Sequence, residues 1–499
     1  MRRLRPLLVS LTASLLSLAA LLAPPQAHAQ APAELDRRDV DTFVTDYLAR
    51  HGLPGATVAV VHDGKTVLTA GYGHDADGAA LDEQSRMRIA SVSKSFTAFA
   101  VLQLVDAGVV DLDVPVATYV DDFAMDDPRA ADVTVRQLLS HTSGIPSPII
   151  IGPADSLEEG AARVASWTLA ADPGTSYLYS NANYWLAAQL VETVSGMPFA
   201  DYLEQKVFAP LGMVDSESVV TTREAVDDLA QGHVTAYGLA FATREPEQMD
   251  AGAGSVVSTA TDMAAWLAMQ QRGGTTPNGQ RLLDPTLVEL SHTPQPDAGR
   301  HGLGWRRSTS RSPERIGASG VLGTFNAQQD LVPDSGYGVV VMLNSFTPTR
   351  EHAYEMSTGI IALTEGKDVE VGLPVATLVD LFLGALTVLA VALGALGLRR
   401  HRRWVARRAA WPLWRFVLRL LPQTIAPALA IFVVLVTPAL QGNSLTPSDT
   451  FRIFPSLTVL LTTLGVVGAT VTAARVRARF SAPGRPPTPA GQSAVATST

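Results

Sequence analysis

Arg88-Ile89-Ala90-Ser91-Val92-Ser93-Lys94-Ser95-Phe96-Thr97-Ala98-Phe99 is the stretch around which the chain is read. Phe96, Phe99, Leu102 and Val105 recur at helical spacing, so the small polar turn at Ala90-Ser91 is predicted to open a helix. Ser91 then lies in the first turn, and Lys94, three residues on, lies over the same face. A serine hydroxyl is a weak nucleophile until a base removes its proton. An amine can take that proton only in its neutral form, which a partly buried pocket favours. The chain has four lysines, at 65, 94, 206 and 367. Ser-x-x-Lys alone also describes a capping serine followed by a solvated lysine, so the context must decide.

The 499 residues suffice for one large domain or two ordinary ones plus further elements. There is no cysteine, which excludes a disulfide framework and a thiolate site. The ten histidines show neither H-x-H nor H-E-x-x-H spacing, and no metal or cofactor is implied. The net charge of −9 conceals a split. Residues 31–372 hold 22 basic and 45 acidic side chains, a net of −23, whereas 373–499 hold 13 arginines against Asp380 and Asp449, a net of +11. The acidic part argues against nucleic acid as a partner. The basic part is interleaved with apolar runs, a membrane pattern.

Residues 1–29 read as a secretory signal: Arg2, Arg3 and Arg5, the apolar run Leu7 to Leu22, and Ala27-His28-Ala29 as a cleavage site. Residues 30–370 read as a soluble α/β (α+β) domain. A helix is expected over 36–50, followed by a hairpin turning at Asp63-Gly64. Residues 134–140 should form a short helix capped by Thr134 and ending in the tight turn His141 to Pro146. Helices follow over 158–170, 182–195, 201–209 and 259–272. Strand character returns at 302–305, 324–332 and 338–344, with Pro333 to Gly336 as a turn and a closing helix over 349–364. Strands at both ends and helices between them imply one antiparallel sheet flanked by helices, with an all-α insert.

Residues 371–475 hold three apolar runs, Leu381 to Leu398, about 421–440 and about 453–474, each read as a transmembrane helix. Asp380 sits at the edge of the first, where an interfacial position costs less than the bilayer centre. Arg399, Arg400, Arg402 and Arg403 follow the first run, with Trp404, Trp411 and Trp414 nearby, while the loop Gln441 to Thr450 lacks arginine. Positive-inside logic places that arginine-rich loop and the tail in the cytoplasm and residues 30–372 outside. The expected location is the cell membrane, multi-pass, with the bilayer as a partner. Residues 476–499 read as a disordered cytoplasmic tail.

Tyr179-Ser180-Asn181 stands at a loop-to-helix junction after Pro173-Gly174. A tyrosine there can relay a proton to a leaving group, and an asparagine can bind a carbonyl or fix the lysine. Taken alone, it is equally a core tyrosine with a capping asparagine. Five stretches in order resemble the serine β-lactamase and penicillin-binding superfamily, in its class C-like branch of β-lactamases, D-alanyl-D-alanine carboxypeptidases, D-aminopeptidases and esterases. They are Arg88 to Ala98, Val135 to Gly144, Pro173-Gly174-Thr175 with Tyr179-Ser180-Asn181, Ala253 to Thr259, and Gly302-Leu303-Gly304-Trp305. They cover about 35–365; the apolar runs lie outside the resemblance.

The resemblance implies a β-lactamase/transpeptidase-like fold and a serine hydrolase working through an acyl-enzyme. Ser91 would be the acylated nucleophile, Lys94 its general base or the tuner of one, and Tyr179 a partner in proton transfer. Asn181 would contact the substrate amide. Ser319, Gly320 and Val321 would line the substrate strand, with the Ser91 and Val321 N–H groups as oxyanion hole. One departure stands out. The family's third motif is Lys or His, then Ser or Thr, then Gly, whereas this chain has Gly317-Ala318-Ser319-Gly320. Ala318 therefore occupies the cation position, with Arg306, Arg307 and Arg315 as candidate replacements. His141 and Ser143 read as turn structure. The substrate is a small molecule or a cell-wall-type peptide bearing an ester or amide. The competing reading is a catalytically weak binding or sensor module on a membrane stem. A transporter is disfavoured by the lack of an internal repeat, and an α/β-hydrolase by the lack of G-x-S-x-G.

Overall fold

A computed structural model describes residues 35–120, 123, 125–147, 152–310, 312–436 and 446–481. The expected signal segment and residues 482–499 of the expected tail lie outside them.

Asp36 caps the first helix, Arg37–His51, by accepting the Arg38 N–H, and Gly52 ends it in the left-handed region. Strand β1, Gly55–His62, turns through Asp63 and Gly64, both at positive φ, into β2, Lys65–Gly73. Two positive φ values make the type I′ turn whose twist suits a two-residue hairpin. From the far end of the domain come β3, Arg306–Ser308, β4, Arg315–Val321, β5, Asn326–Val332, and β6, Tyr337–Leu343. They assemble as β2-β1-β6-β5-β4-β3, antiparallel throughout. The sheet thus joins both ends of the domain, as the pattern predicts.

β1 is buried on both faces, and its period-two alternation sorts its side chains into two cores. Ala56, Val58 and Val60 pack with Val339 and Val341 beneath the helices Arg37–His51 and His352–Thr364. Ala59 and Val61 join Val340 and Met342 in the larger core, with the helices Lys94–Asp106 and Ala260–Gln271. Phe96 stacks on Trp266 with ring centroids 4.0 Å apart, and Phe99 meets the same indole edge-on. The Lys94–Asp106 helix is buried nearly all round, so it is a central core helix rather than an amphipathic surface one.

Several expected elements differ. Residues 158–170 form only Leu157–Ala162 and one tighter turn, Arg163–Ser166. Beyond it the Leu169 N–H goes to Asp127 and the Ala170 N–H to Gly144 O, tertiary bonds that replace helical ones. The expected strand at 302–305 is a turn. Gly304, at φ +79°, lies so near the core helix that a Cβ would fall 2.8 Å from Lys94 O. Unforeseen elements are the helix Pro285–His292 and two small three-stranded sheets.

Of the three apolar runs, two form helices long and apolar enough to cross a bilayer among the described residues, Val375–Ala406 and Pro455–Phe480. At 1.5 Å per residue these are about 48 Å and about 39 Å long, against a hydrocarbon core of about 30 Å. The second run lies in the helix Leu413–Ile431 and its wider continuation Phe432–Val436; Pro422 and Pro427 fall inside that helix, and Arg415 and Arg419 precede the run. Among the described residues, two of the three expected spans therefore form helices of that length and hydropathy, and residues 437–440 of the second run lie outside the description. The last helix also continues to Phe480, so residues 476–480 are helical and not tail. Ser456 Oγ donates to Asp380, and Gly394 and Gly397 sit against Val467 and Val471, so the two long helices run parallel. The Leu413–Ile431 helix runs the other way, with Gly468 against Gln423 and Arg479 reaching Ala409 O.

Candidate active site

The turn that presents Ser91 is pinned at both ends. Ile89 N–H donates to Val256 O, and Val256 N–H donates to Ser93 Oγ at 3.0 Å. Between these anchors Ala90 adopts φ +51°, a left-handed conformation costing a residue with a Cβ on the order of 1–2 kcal/mol. The result is a crank: Ile89, Ala90, Val92, Ser93 and Lys94 are buried, and Ser91 alone in this stretch is half-exposed. The Gly-rich loop Ala251 to Ser255 is held to the core helix by Thr97 Oγ1 donating to Gly252 O. Gly252, at φ +69°, has no room for a side chain, since a Cβ would meet Tyr184 O at 2.4 Å.

That loop supplies what the sequence did not reveal. Lys94 is 4% exposed, and its Nζ reaches three oxygens: Ser91 Oγ at 3.0 Å, Asn181 Oδ1 at 2.8 Å and Ala253 O at 2.7 Å. Asn181 Oδ1 and Ala253 O can only accept, so two N–H bonds of the amine are committed to them. The remaining tetrahedral position faces Ser91 Oγ. There an ammonium donates a proton, and a neutral amine offers its lone pair to the Ser91 O–H. That position is the one through which a proton can pass between the two groups.

Tyr179 OH lies 2.8 Å from Ser91 Oγ and 3.1 Å from Asn181 Oδ1. Asn181 occupies the cap position of the helix Ala182–Ser195 yet makes no capping bond; its Oδ1 instead holds Lys94 and Tyr179. The four expected residues Ser91, Lys94, Tyr179 and Asn181 therefore form one hydrogen-bonded cluster.

His141 and Ser143 serve the turn that carries this loop. His141, at φ +59° and buried, accepts at Nδ1 from the Ser180 N–H at 3.2 Å and from the Asn183 amide at 3.1 Å. Ser143 Oγ donates to Asn183 Oδ1 at 2.6 Å. Burial, then the Lys94 charge, push the imidazole well below its ordinary range. His141 is thus a neutral acceptor that fixes the backbone between Tyr179 and Asn181.

The opposite wall is β4. Gly320 backs onto the Ser91 turn so closely that a Cβ would stand 2.2 Å from Ile89 O and 3.0 Å from Ser91 N. Val321 follows at the rim, 39% exposed. Ser319 Oγ donates across the sheet to Gln328 Oε1. Ala318 pairs with Gln329, whose Nε2 donates to Ser95 Oγ at 3.0 Å. Of the three candidate replacement cations, Arg307 is engaged by Glu314 and Glu289, and Arg315 by Thr358. Arg306, opposite Gly317 in β3, borders the cleft. Its guanidinium takes part in no hydrogen bond or ion pair found among the described residues.

The cleft measures about 390 Å³ and is lined by Ser91, Lys94, Tyr179, Asn181, Arg306 and Ser319 among others. Tyr177 stacks on His301 at 4.0 Å to form part of its rim, and burial raises the Tyr177 phenol to about 12. Among the described residues no group of three His, Asp or Glu could hold a metal ion.

A family model described as Beta-lactamase matches residues 40–358. Protein flp of Staphylococcus aureus (strain COL) is 26% identical over 318 residues, covering 62% of this chain and 63% of that protein. The unguisins hydrolase ungD of Aspergillus violaceofuscus is 27% identical over 352 residues, covering 62% and 61%. The matches thus span less than two thirds of these relatives. Among solved structures, the octameric penicillin-binding protein homologue from Pyrococcus abyssi superposes with a TM-score of 0.59 at 25% identity, over 68% of this chain and 80% of that one. The D-amino acid amidase from Ochrobactrum anthropi shares the fold with a TM-score of 0.56 at 24% identity, over 66% and 98%.

Proposed function

This chain belongs to the beta-lactamase family of serine hydrolases, and from that premise we propose that it cleaves an ester or amide through an acyl-enzyme on Ser91. The observation that carries the proposal is the contact of Ser91 Oγ with both Lys94 Nζ and Tyr179 OH. In the first step the Ser91 proton passes to Lys94 or Tyr179 as Oγ bonds to the substrate carbonyl carbon. The carbonyl π pair becomes an oxyanion, received by the Ser91 and Val321 N–H groups. Collapse of that adduct expels the alcohol or amine, which takes a proton from Tyr179. Water, deprotonated by the same pair, then releases the acid and restores the serine. Asn181 holds Lys94 and Tyr179 through its Oδ1 and turns its Nδ2 to the substrate.

We place the chain in the class C-like branch. Ala318 at the third-motif cation position disfavours an efficient β-lactamase and favours a peptidase, amidase or esterase. Arg306 is the group we assign to an anionic substrate end. We also infer that residues 30–370 lie outside the cytoplasm, on an anchor whose two long helices bracket the antiparallel Leu413–Ile431. The arginine-rich ends that follow Leu398 and Val471 support that orientation.

The test is covalent labelling of the purified full chain with a fluorophosphonate and with a fluorescent penicillin, followed by hydrolysis of nitrocefin, p-nitrophenyl esters and D-Ala-D-Ala peptides. Label on the wild type but not on Ser91→Ala supports the hydrolase. No label on either supports the second reading, a weak binding module, which the missing cation at Ala318 favours.

A further inference from the structure

Ser91 stands between two cavities. Besides the cleft described above, Ser91, Asn181 and Val321 line a second lobe of about 170 Å³ on the other side. Its walls are Leu322, Phe346, Pro246 and Ile453, and its floor carries Glu245 and Asp250. Ile453 does not come from the hydrolase domain. It ends the short helix Pro447–Ile453, two residues before the long apolar helix Pro455–Phe480 begins.

The apolar helices are held against the domain at this point. Asp380 accepts the Tyr237 N–H at 3.0 Å and the Ser456 hydroxyl at 2.5 Å. Tyr237 lies in the turn of the hairpin His233–Ala236 to Leu239–Ala242, and its ring lies against Gly384, one turn along the first apolar helix. The same hairpin pairs with Ser345–Phe346, and Phe346 is a wall of the lobe. The end of the helical bundle therefore touches the lobe twice, directly through Ile453 and indirectly through this strand.

The floor of the lobe has a definite chemistry. Glu245 is satisfied by the Gly323 N–H and the Thr324 hydroxyl. Asp250 is 4% exposed, and its Oδ2 is buried with no hydrogen-bond partner. A long alkyl chain would cover that carboxyl without pairing it, which is unfavourable. An arm of on the order of five heavy atoms fits the volume, and one carrying a hydrogen-bond donor supplies what Asp250 lacks.

We propose that this second lobe receives the acyl arm of the substrate, a short arm bearing a donor such as an amino or hydroxyl group. We propose further that Ile453, contributed by the membrane-side bundle, sets its length. The bundle is then a wall of the specificity site as well as an anchor. The proposal rests on Ser91 being the nucleophile.

The experiment uses the full chain in detergent, as wild type, Ile453→Trp and Ile453→Ala. Each is assayed with p-nitrophenyl acetate, butyrate and octanoate and with alanine p-nitroanilide, alongside the fluorophosphonate labelling rate of Ser91. Ile453→Trp should lower kcat/KM for the butyrate and the alanine anilide at least tenfold relative to the acetate. Ile453→Ala should raise the octanoate-to-acetate ratio at least fivefold. Unchanged ratios in both variants, with wild-type labelling rates, overturn the proposal while leaving the hydrolase intact. Absence of label on the wild type overturns the hydrolase and this inference with it.

Discussion

Replacing Gly320 by alanine probes the joint between β4, the proposed substrate strand, and the turn that carries Ser91, the proposed nucleophile. The backbone at Gly320 is not in the left-handed region, so the effect of a methyl group is spatial. Its carbon would stand 2.2 Å from Ile89 O and 3.0 Å from both Ala90 Cβ and Ser91 N, where ordinary contact begins at 3.4 Å. The contacted atoms are backbone and a pinned alanine, so β4 must retreat by roughly 1 Å. A displacement of that size costs on the order of 10²-fold in rate, and loss of one oxyanion donor costs about 10²–10³-fold. The expected fall in kcat is therefore about 10²–10³, or roughly 2.7–4 kcal/mol of barrier. Overpacking should lower stability by about 1–3 kcal/mol. The assay is steady-state hydrolysis of whichever p-nitrophenyl ester the wild type turns over, with fluorophosphonate labelling and a thermal melt of the same preparation. A folded Gly320→Ala chain that labels and turns over at the wild-type rate would refute the placement of β4 at the oxyanion position.

Tyr179→Phe removes the hydroxyl at 2.8 Å from Ser91 Oγ. Hydrolysis should fall by about 10²–10⁴-fold, while the melt moves little because the ring is 37% exposed; a loss under threefold removes Tyr179 from the proton path. Arg306→Ala should raise KM about tenfold for substrates with a carboxylate end and leave neutral esters unchanged, read by comparing the two series; equal effects on both remove Arg306 from substrate binding. Burial raises Glu245 to about 7 and Asp250 and Asp330 to about 6. A folded-state value above the unfolded one gives stability that is fully present below the unfolded value and lost as pH rises through the folded one. The melting temperature should therefore decline between pH 5 and 8, less steeply in Glu245→Gln; parallel profiles would show that Glu245 does not titrate in that window.

The hairpin at Asp63-Gly64, the Thr134-capped helix and the sheet drawn from both ends of the domain were legible because local pattern and tertiary structure agree there. Thr134 does make its capping box with Gln137, and β1 alternates between two cores. Agreement failed where tertiary bonds outcompeted local ones. Residues 302–305 read as strand, yet Gly304 is bent to lie against Lys94, and the helix expected to reach residue 170 stops where Leu169 and Ala170 find distant partners. The second apolar run has hydropathy enough to suggest a span; its described part is helical but carries Pro422 and Pro427 inside it, so among the described residues only the other two runs form long uninterrupted apolar helices.

Ser91, Lys94, Tyr179 and Asn181 were each readable from motif and order, because chemistry restricts residue type at those places. That Ala253 and Ile453 stand beside them was not. Ala253 contributes only a carbonyl, which any residue carries, and Ile453 reaches the second lobe from the start of the third apolar run. Sequence alone determined the chemical types and the elements that carry them, since spacing and capping act over a few residues. The tertiary structure decided which of those groups touch, because contact between residues 91, 179, 253, 320 and 453 is set by packing across the whole chain.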